Sequence, residues 1–439
     1  MFDSNSKINE DVTPGISKRE FENRRDKYVE YLTNYQKYYF KNQGRTDMNI
    51  QDISGNTFIA IIPSSMTTFM APDVPYTFKQ NSDFLYLTGF KEPNSLLVIS
   101  RTSKNNNSYT AALFVREKDN KKEIWEGSFT GPENINRLCG IEKAFQINEI
   151  EEYLSSLLKD NENKKIPFWR YPSEELKEES NCYNEFIEET INKVCADNCG
   201  KIIEMNENSM VSTSRYFVQL ARIKKSKAEI DIMRKSCEIA SASFIKTMLA
   251  SHPGCDESLI YAKFDYESRI RGAEHLAYIP VIAGGPRATV LHYIRNNQII
   301  SNNSLLLMDA GCQYRDYASD ITRTWPINGR FNGPQRDIYE ACYNVQLHCL
   351  EKCRKGISIT KLYAVMMNKI AEQLIELGII RASDVDLTSE KLNLNTQRAV
   401  SRFCPHDIGH YLGLDVHDSP EISKSMDLDS GTVITVEPG

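Results

Sequence analysis

The chain has no apolar run approaching 18 residues, so it carries no candidate membrane-spanning helix. It also lacks an excess of basic charge. Its 53 Lys and Arg stand against 59 Asp and Glu, a formal net charge of −6. No Lys/Arg stripe interrupts that balance, which argues against a nucleic-acid partner. The opening MFDSNSKINEDVTPG holds Asp3, Glu10 and Asp11 against the single Lys7 and has neither an apolar h-region nor an Arg-rich amphipathic stretch. A secretory signal is therefore not expected, and no transit peptide is visible. A cysteine framework is missing too. The 11 cysteines are odd in number and scattered, and Cys195/Cys199 and Cys349/Cys353 are four apart, one helical turn rather than a zinc-ribbon spacing. They are expected to be mostly free thiols of a reducing compartment.

What remains is an ordinary globular composition, 41% hydrophobic and 26% charged, which excludes disorder of the whole chain. A length of 439 residues implies two or three domains. Residues 17–40 read as a charged helix opened by the capping box Ser17–Glu20. Phe58–Ile62, Leu96–Ile99 and Ala111–Val115 have strand length, and 146–160 and 181–195 read as helices. This alternation predicts an α/β domain of about 200 residues. A boundary is expected near 216–226, followed by a second capping box, Ser226–Glu229, and an amphipathic helix through Leu249. Further helices are predicted at 256–272, 333–354 and 358–377, with strands and turns over 278–327 and strands at about 410–416 and 432–437.

The chemistry concentrates in this second half. LLLMDAG (305–311) is an apolar run that delivers Asp309 at its end, and Asp320 follows eleven residues later. Two carboxylates held close repel unless a cation lies between them. An Asp pair alone usually means two surface acids. Here, PHDIGHYLGLDVHD (405–418) adds three of the chain's seven histidines within twelve residues, His406, His410 and His417. His410, Leu412, Leu414 and Val416 alternate as in a strand. GTVITVEPG (431–439) then delivers Glu437 at the end of a β-branched run. A carboxylate so placed has to be paired, neutralised or metal-bound. Two Asp, one His and one Glu suit a hard divalent ion, Mn²⁺ first, with Co²⁺, Fe²⁺ or Zn²⁺ as alternatives. Two such ions about 3.5–4 Å apart can polarise a carbonyl and share a hydroxide. Histidines outside the ligand set, including His292 in TVLHY, would stabilise an oxyanion or a leaving amine.

Asp309, Asp320, His410 and Glu437, in this order and spacing, resemble the ligands of the pita-bread metallopeptidases, a group holding methionine aminopeptidase, prolidase, aminopeptidase P and the related creatinase. HDIGHYLGLDVHD, VITVEPG, LLMDAGCQYRDYASDITRTWPINGRF and AGG…LHY are similar to aminopeptidase P. YTFKQNSDFLYLTGF (76–90) resembles the start of that family's non-catalytic domain, and VTPGIS with YAKFDYESRIRGAEHLAYIPVIAGG resembles its mitochondrial type. The resemblance implies an α/β aminopeptidase P domain over 1–220 and an α+β pita-bread catalytic domain over 221–439. It implies that Asp309 chelates one of two metal ions, that Asp320 bridges both, and that His410 and Glu437 bind the other. Glu437 would also act as general base, and His292, His406 and His417 would line the proline pocket. The implied reaction removes the N-terminal residue of peptides with proline second. Prolidase-like dipeptidase activity and a catalytically defective binding protein are the alternatives. The family pattern continues past Glu437-Pro438-Gly439 with a second ligating Glu and an Arg. The catalytic domain is thus expected to lack its last segment, and the chain as written to have much reduced activity. A homodimer, no nucleic-acid or membrane partner, and a mitochondrial or cytoplasmic location complete the expectations.

Overall fold

The structure is a computed structural model and describes residues 11–42, 57–102, 108–159, 165–171, 182–205, 213–388 and 391–439. It divides into two compact units, Met1–Arg222 and Ile223–Gly439.

The first unit is built on a six-stranded mixed sheet. Its order is Ile202–Glu204, Ile166–Trp169, Phe58–Pro63, Leu96–Arg101, Thr110–Val115, Lys143–Gln146. Phe58–Pro63 is buried at every position, as a central strand covered on both faces must be. The helices Ile150–Lys159 and Cys182–Asp197 bury Ile150, Leu154, Leu158, Ile187, Ile191 and Val194 in one cluster with Ile59, Ile61, Leu96 and Val98 of the sheet. The short helix Ser82–Thr88 is wholly buried, so its ends need partners from within the protein. Asn81 Oδ1 accepts from Asp83 N at 2.9 Å and Phe84 N at 3.1 Å. At the other end the guanidinia of Arg24 and Arg25, from the helix Lys18–Asn42, donate to Tyr86 O and Leu87 O. Buried Asp83 pairs with buried Arg222 and accepts from Tyr171 Oη at 2.8 Å, tying this helix to Arg215–Arg222.

The second unit opens with the predicted capping box. Ser226 Oγ accepts from Glu229 N, Glu229 Oε2 accepts from Ser226 N, and the helix Lys227–Ala250 follows. Ile239 and Phe244 from this helix and Phe264 from Glu257–Arg269 form a core with Ile282, Leu306, Met308 and Ala310. Those last four belong to an antiparallel sheet in which Leu305–Ala310 lies between Val281–Gly284 and Ile321–Pro326. In the central strand Leu306, Met308 and Ala310 are buried in the core, while Leu305, Leu307 and Asp309 alternate onto the opposite face. The core side of the pleat therefore fixes the direction of Asp309. The chain then turns through Gly311 into the hairpin Cys312–Tyr314/Tyr317–Ala318. A Cβ on Gly311 would lie 1.8 Å from Ser319 O, so only glycine lets Asp309 and Asp320 approach.

The expected strands at 410–416 and 432–437 do not form. The two segments face each other through one isolated bridge, Tyr411↔Ile434, and the bonds Leu412 N–Val433 O, Thr435 N–His410 O and Glu437 N–Ile408 O. A side chain breaks the ladder: His410 N donates to Thr435 Oγ1 at 3.0 Å. The expected alternation of His410, Leu412, Leu414 and Val416 fails with it, because 411–414 are all buried. Gly409 is required here, since its Cβ would meet Thr435 O at 2.4 Å. Among the described residues no helix is long and apolar enough to cross a membrane, and ten cysteines are free thiols.

Candidate metal centre

Asp320, His410 and Glu437 meet in the second unit. His410 Nε2 lies 3.2 Å from Asp320 Oδ2 and 3.3 Å from Glu437 Oε1, and the donor atoms of all three lie within 4.8 Å of one another. The imidazole is aimed from behind. His410 Nδ1 is 3.0 Å from Tyr411 O, a carbonyl that can only accept, so Nδ1 keeps a proton, and Nε2 is the nitrogen that faces the carboxylates, donating to Asp320 without an ion and open to ligate one. Glu437 is held by Thr435, whose hydroxyl donates to Oε1 at 2.6 Å. Asp309 joins through Tyr278, whose hydroxyl contacts Asp309 Oδ1 and lies 2.8 Å from Asp320 Oδ1.

The electrostatics show what the cluster wants. Burial and the neighbouring Asp320 charge push the Asp309 carboxyl up to about 7. Burial also opposes the Asp320 charge, but hydrogen bonds with His410 and Tyr278 outweigh it and hold that carboxyl below its ordinary value. Burial raises Glu437. One acid of the close pair is thus driven toward neutrality by burial first and by the other acid second, the condition that a divalent cation relieves. Three oxygen acids and one correctly tautomeric imidazole form a donor set that fits such an ion.

The remaining candidates surround this group. The rings of His410 and His417 are 4.4 Å apart at 70°. His406 Nδ1 lies 2.8 Å from Asp407 O and its Nε2 3.6 Å from Cys404 Sγ. His292 is exposed and close enough to His417 for their charges to interact. Sequence reasoning missed Tyr278 and Thr435. Thr435 had a weak signal, two residues before Glu437 in a β-branched run. Tyr278 had none, because its partners lie 31 and 42 residues away. Tyr278→Phe removes the one donor shared by two carboxylates. In metal-free protein it is expected to lower stability by about 1–3 kcal/mol, read as a falling urea midpoint; an unchanged midpoint would show that the hydroxyl does not hold the pair.

Residues 21–166 match the family profile described as Aminopeptidase P, N-terminal domain, and residues 231–439 match Metallopeptidase family M24. The Mus musculus protein named Xaa-Pro aminopeptidase 3 is 36% identical over 430 residues, which span 98% of this chain and 77% of that one. The chain belongs to the Xaa-Pro aminopeptidase family. The Arabidopsis thaliana protein named Intermediate cleaving peptidase 55, mitochondrial, is 32% identical over 98% of this chain and 74% of its own length. A zinc-substituted Escherichia coli aminopeptidase P in complex with product superposes with a TM-score of 0.78, at 28% identity, over 96% of this chain and 87% of that chain. The fold is accordingly an aminopeptidase P N-terminal domain followed by a pita-bread catalytic domain, and this Xaa-Pro aminopeptidase family member is a divalent-metal exopeptidase. Neither a dipeptidase nor a ligandless binding protein is favoured.

Proposed function

We propose that the chain releases the N-terminal residue from peptides with proline second, with Asp309, Asp320, His410 and Glu437 holding two divalent ions, Mn²⁺ first among them. The supporting observation is the convergence of Asp320, His410 and Glu437 on one point, with Asp309 joined through Tyr278. When bound, such ions polarise the scissile carbonyl and activate water. The chain's own groups do the rest. Glu437 accepts a proton at its carboxylate and returns it to the departing amine. His292, His406 and His417 donate hydrogen bonds to the developing oxyanion and the leaving group. The Xaa-Pro bond is a tertiary amide without N–H, so a site that demands no donor there and shapes itself to the pyrrolidine ring accepts it selectively. A homodimer and a mitochondrial location belong to the same reading, the latter supported by the mitochondrial name of the Arabidopsis relative.

With added Mn²⁺, the chain is expected to free the first residue of a Xaa-Pro-Yaa tripeptide at least about 100-fold faster than that of its Xaa-Ala-Yaa analogue. Equal cleavage of both, or cleavage confined to the Xaa-Pro dipeptide, would contradict the reading.

A further inference from the structure

The loop over 285–298 leaves the sheet after Gly284 and carries the exposed His292. Beneath it lies Glu257, the first residue of the helix Glu257–Arg269, fully buried. One carboxylate oxygen accepts from Gly284 N at 3.0 Å and Arg287 Nε at 2.7 Å. The other accepts from Tyr293 Oη at 2.8 Å and Gln298 N at 3.1 Å. A single carboxylate therefore touches the residue before the loop, the residue that ends it, and the residue directly after His292. The backbone adds to the clamp, as Glu257 N donates to Gln298 O at 3.0 Å and Ile300 N to Cys255 O at 2.9 Å. Asn296 supplies a second hold: it accepts from Ile282 N at 3.0 Å and donates to Pro280 O at 2.7 Å.

Burying a carboxylate is costly unless it is fully hydrogen-bonded. Glu257 is not there to cap its own helix. Asp256 does that, accepting from Ser258 N at 2.8 Å. The side-chain bonds of Glu257 go instead to the loop and its two ends. Tyr293, itself buried, transmits that anchor to the neighbour of His292.

We propose that Glu257, acting through Tyr293, is a positioning residue that fixes the 285–298 loop and so presents His292 to the reacting carbonyl. This rests on the role of His292 proposed above. A group misplaced by about 1 Å can cost about 10²-fold in rate. The defect should fall on kcat, because the donor acts mainly on the transition state.

The test is a double-mutant cycle. Glu257→Gln and Tyr293→Phe are each made alone and with His292→Ala, then assayed with Mn²⁺ on a Xaa-Pro-Yaa tripeptide. Trypsin cleavage after exposed Arg295 is followed by mass spectrometry in the metal-free proteins as a second readout. Glu257→Gln is expected to lower kcat by about 30–100-fold and Tyr293→Phe by about 5–10-fold, with KM within about threefold. In the His292→Ala background each should cost less than about twofold. Cleavage after Arg295 should quicken in both single variants. Equal losses with and without His292 would overturn the proposal, since a purely structural role costs the same in either background. Unchanged kcat in both single variants would overturn it too. If His292→Ala alone keeps the chain's activity, the reading of His292 fails first, and faster cleavage after Arg295 would then mark Glu257 as a loop anchor without a part in the reaction. Should Glu257→Gln not fold, Tyr293→Phe, which deletes one hydroxyl, decides the matter.

Discussion

Asp320→Asn is expected to lower Xaa-Pro cleavage by at least about 10³-fold, because polarisation by bound ions contributes several kcal/mol and each tenfold in rate is about 1.4 kcal/mol. Asp320 is the hub of the cluster. Its Oδ2 faces His410 Nε2 at 3.2 Å and its Oδ1 accepts from Tyr278 at 2.8 Å. Asn keeps the shape but removes the charge and turns a donor toward the ion or toward the tyrosine hydroxyl. Metal stoichiometry by elemental analysis should fall in parallel with activity. Asp407→Asn is the contrast. This acid stands three residues from His410, yet its carboxylate is occupied by Ile408 N at 2.8 Å and half-exposed Lys424 Nζ at 2.7 Å. That variant should stay within about threefold of the parent chain, in keeping with the small worth of exposed ion pairs. Full metal loading and activity in Asp320→Asn would remove this residue from the site. Losses of the same size in both variants would mean that local unfolding, not ligation, is being measured.

The contrast also marks the limits of what the sequence discloses. Asp320 and Asp407 each stand directly before an isoleucine, in Ser319-Asp320-Ile321 and His406-Asp407-Ile408, and only their context in a family pattern separates them. Features written by near neighbours were readable. The Ser226–Glu229 capping box, the apolar run that delivers Asp309 and the stripes of the helices at 150–159 and 182–197 each depend on contacts within a few residues. Features made by distant pairing were not. The strands Lys143–Gln146, Ile166–Trp169 and Ile202–Glu204 are four, four and three residues long, too short to announce themselves. Their parallel pairing is set by the helices that cover them. The failed strands at 410–416 and 432–437 illustrate a different loss. Their β-branched composition is right, but Thr435 spends its hydroxyl on the backbone of His410 and on Glu437, which orders the two proposed ligands and spoils the ladder. Local propensity yields where a site must be built.

Lys225→Met should be the most damaging single change outside the proposed ligand set. Lys225 Nζ donates to Asp418 Oδ2 at 2.9 Å, with the two side chains 2% and 1% exposed. Asp418 follows His417 directly; its carboxylate also accepts from Ser419 Oγ at 3.0 Å, and its N–H donates to Tyr411 O at 2.9 Å. Lys225 N donates to Gly431 O at 2.9 Å. The pair thus joins the start of the helix Lys227–Ala250 to both segments that carry His410 and Glu437. Removing the ammonium leaves a carboxylate buried without its counter-charge, which costs about 3–5 kcal/mol. Urea unfolding of the metal-free chain should show that loss. The double variant Lys225→Met/Asp418→Asn, which removes both charges and keeps the shape of the acid, should recover all but about 1–2 kcal/mol. A double variant no more stable than the single one would mean that the lysine works through its packing, and a single variant within about 1 kcal/mol of the parent would mean that water reaches the pair. If the loss and the recovery both appear, the ion pair fixes the geometry of the His406–His417 segment before any ion arrives. The same two variants should then show His410 and His417 disordered together in the single change and restored together in the double.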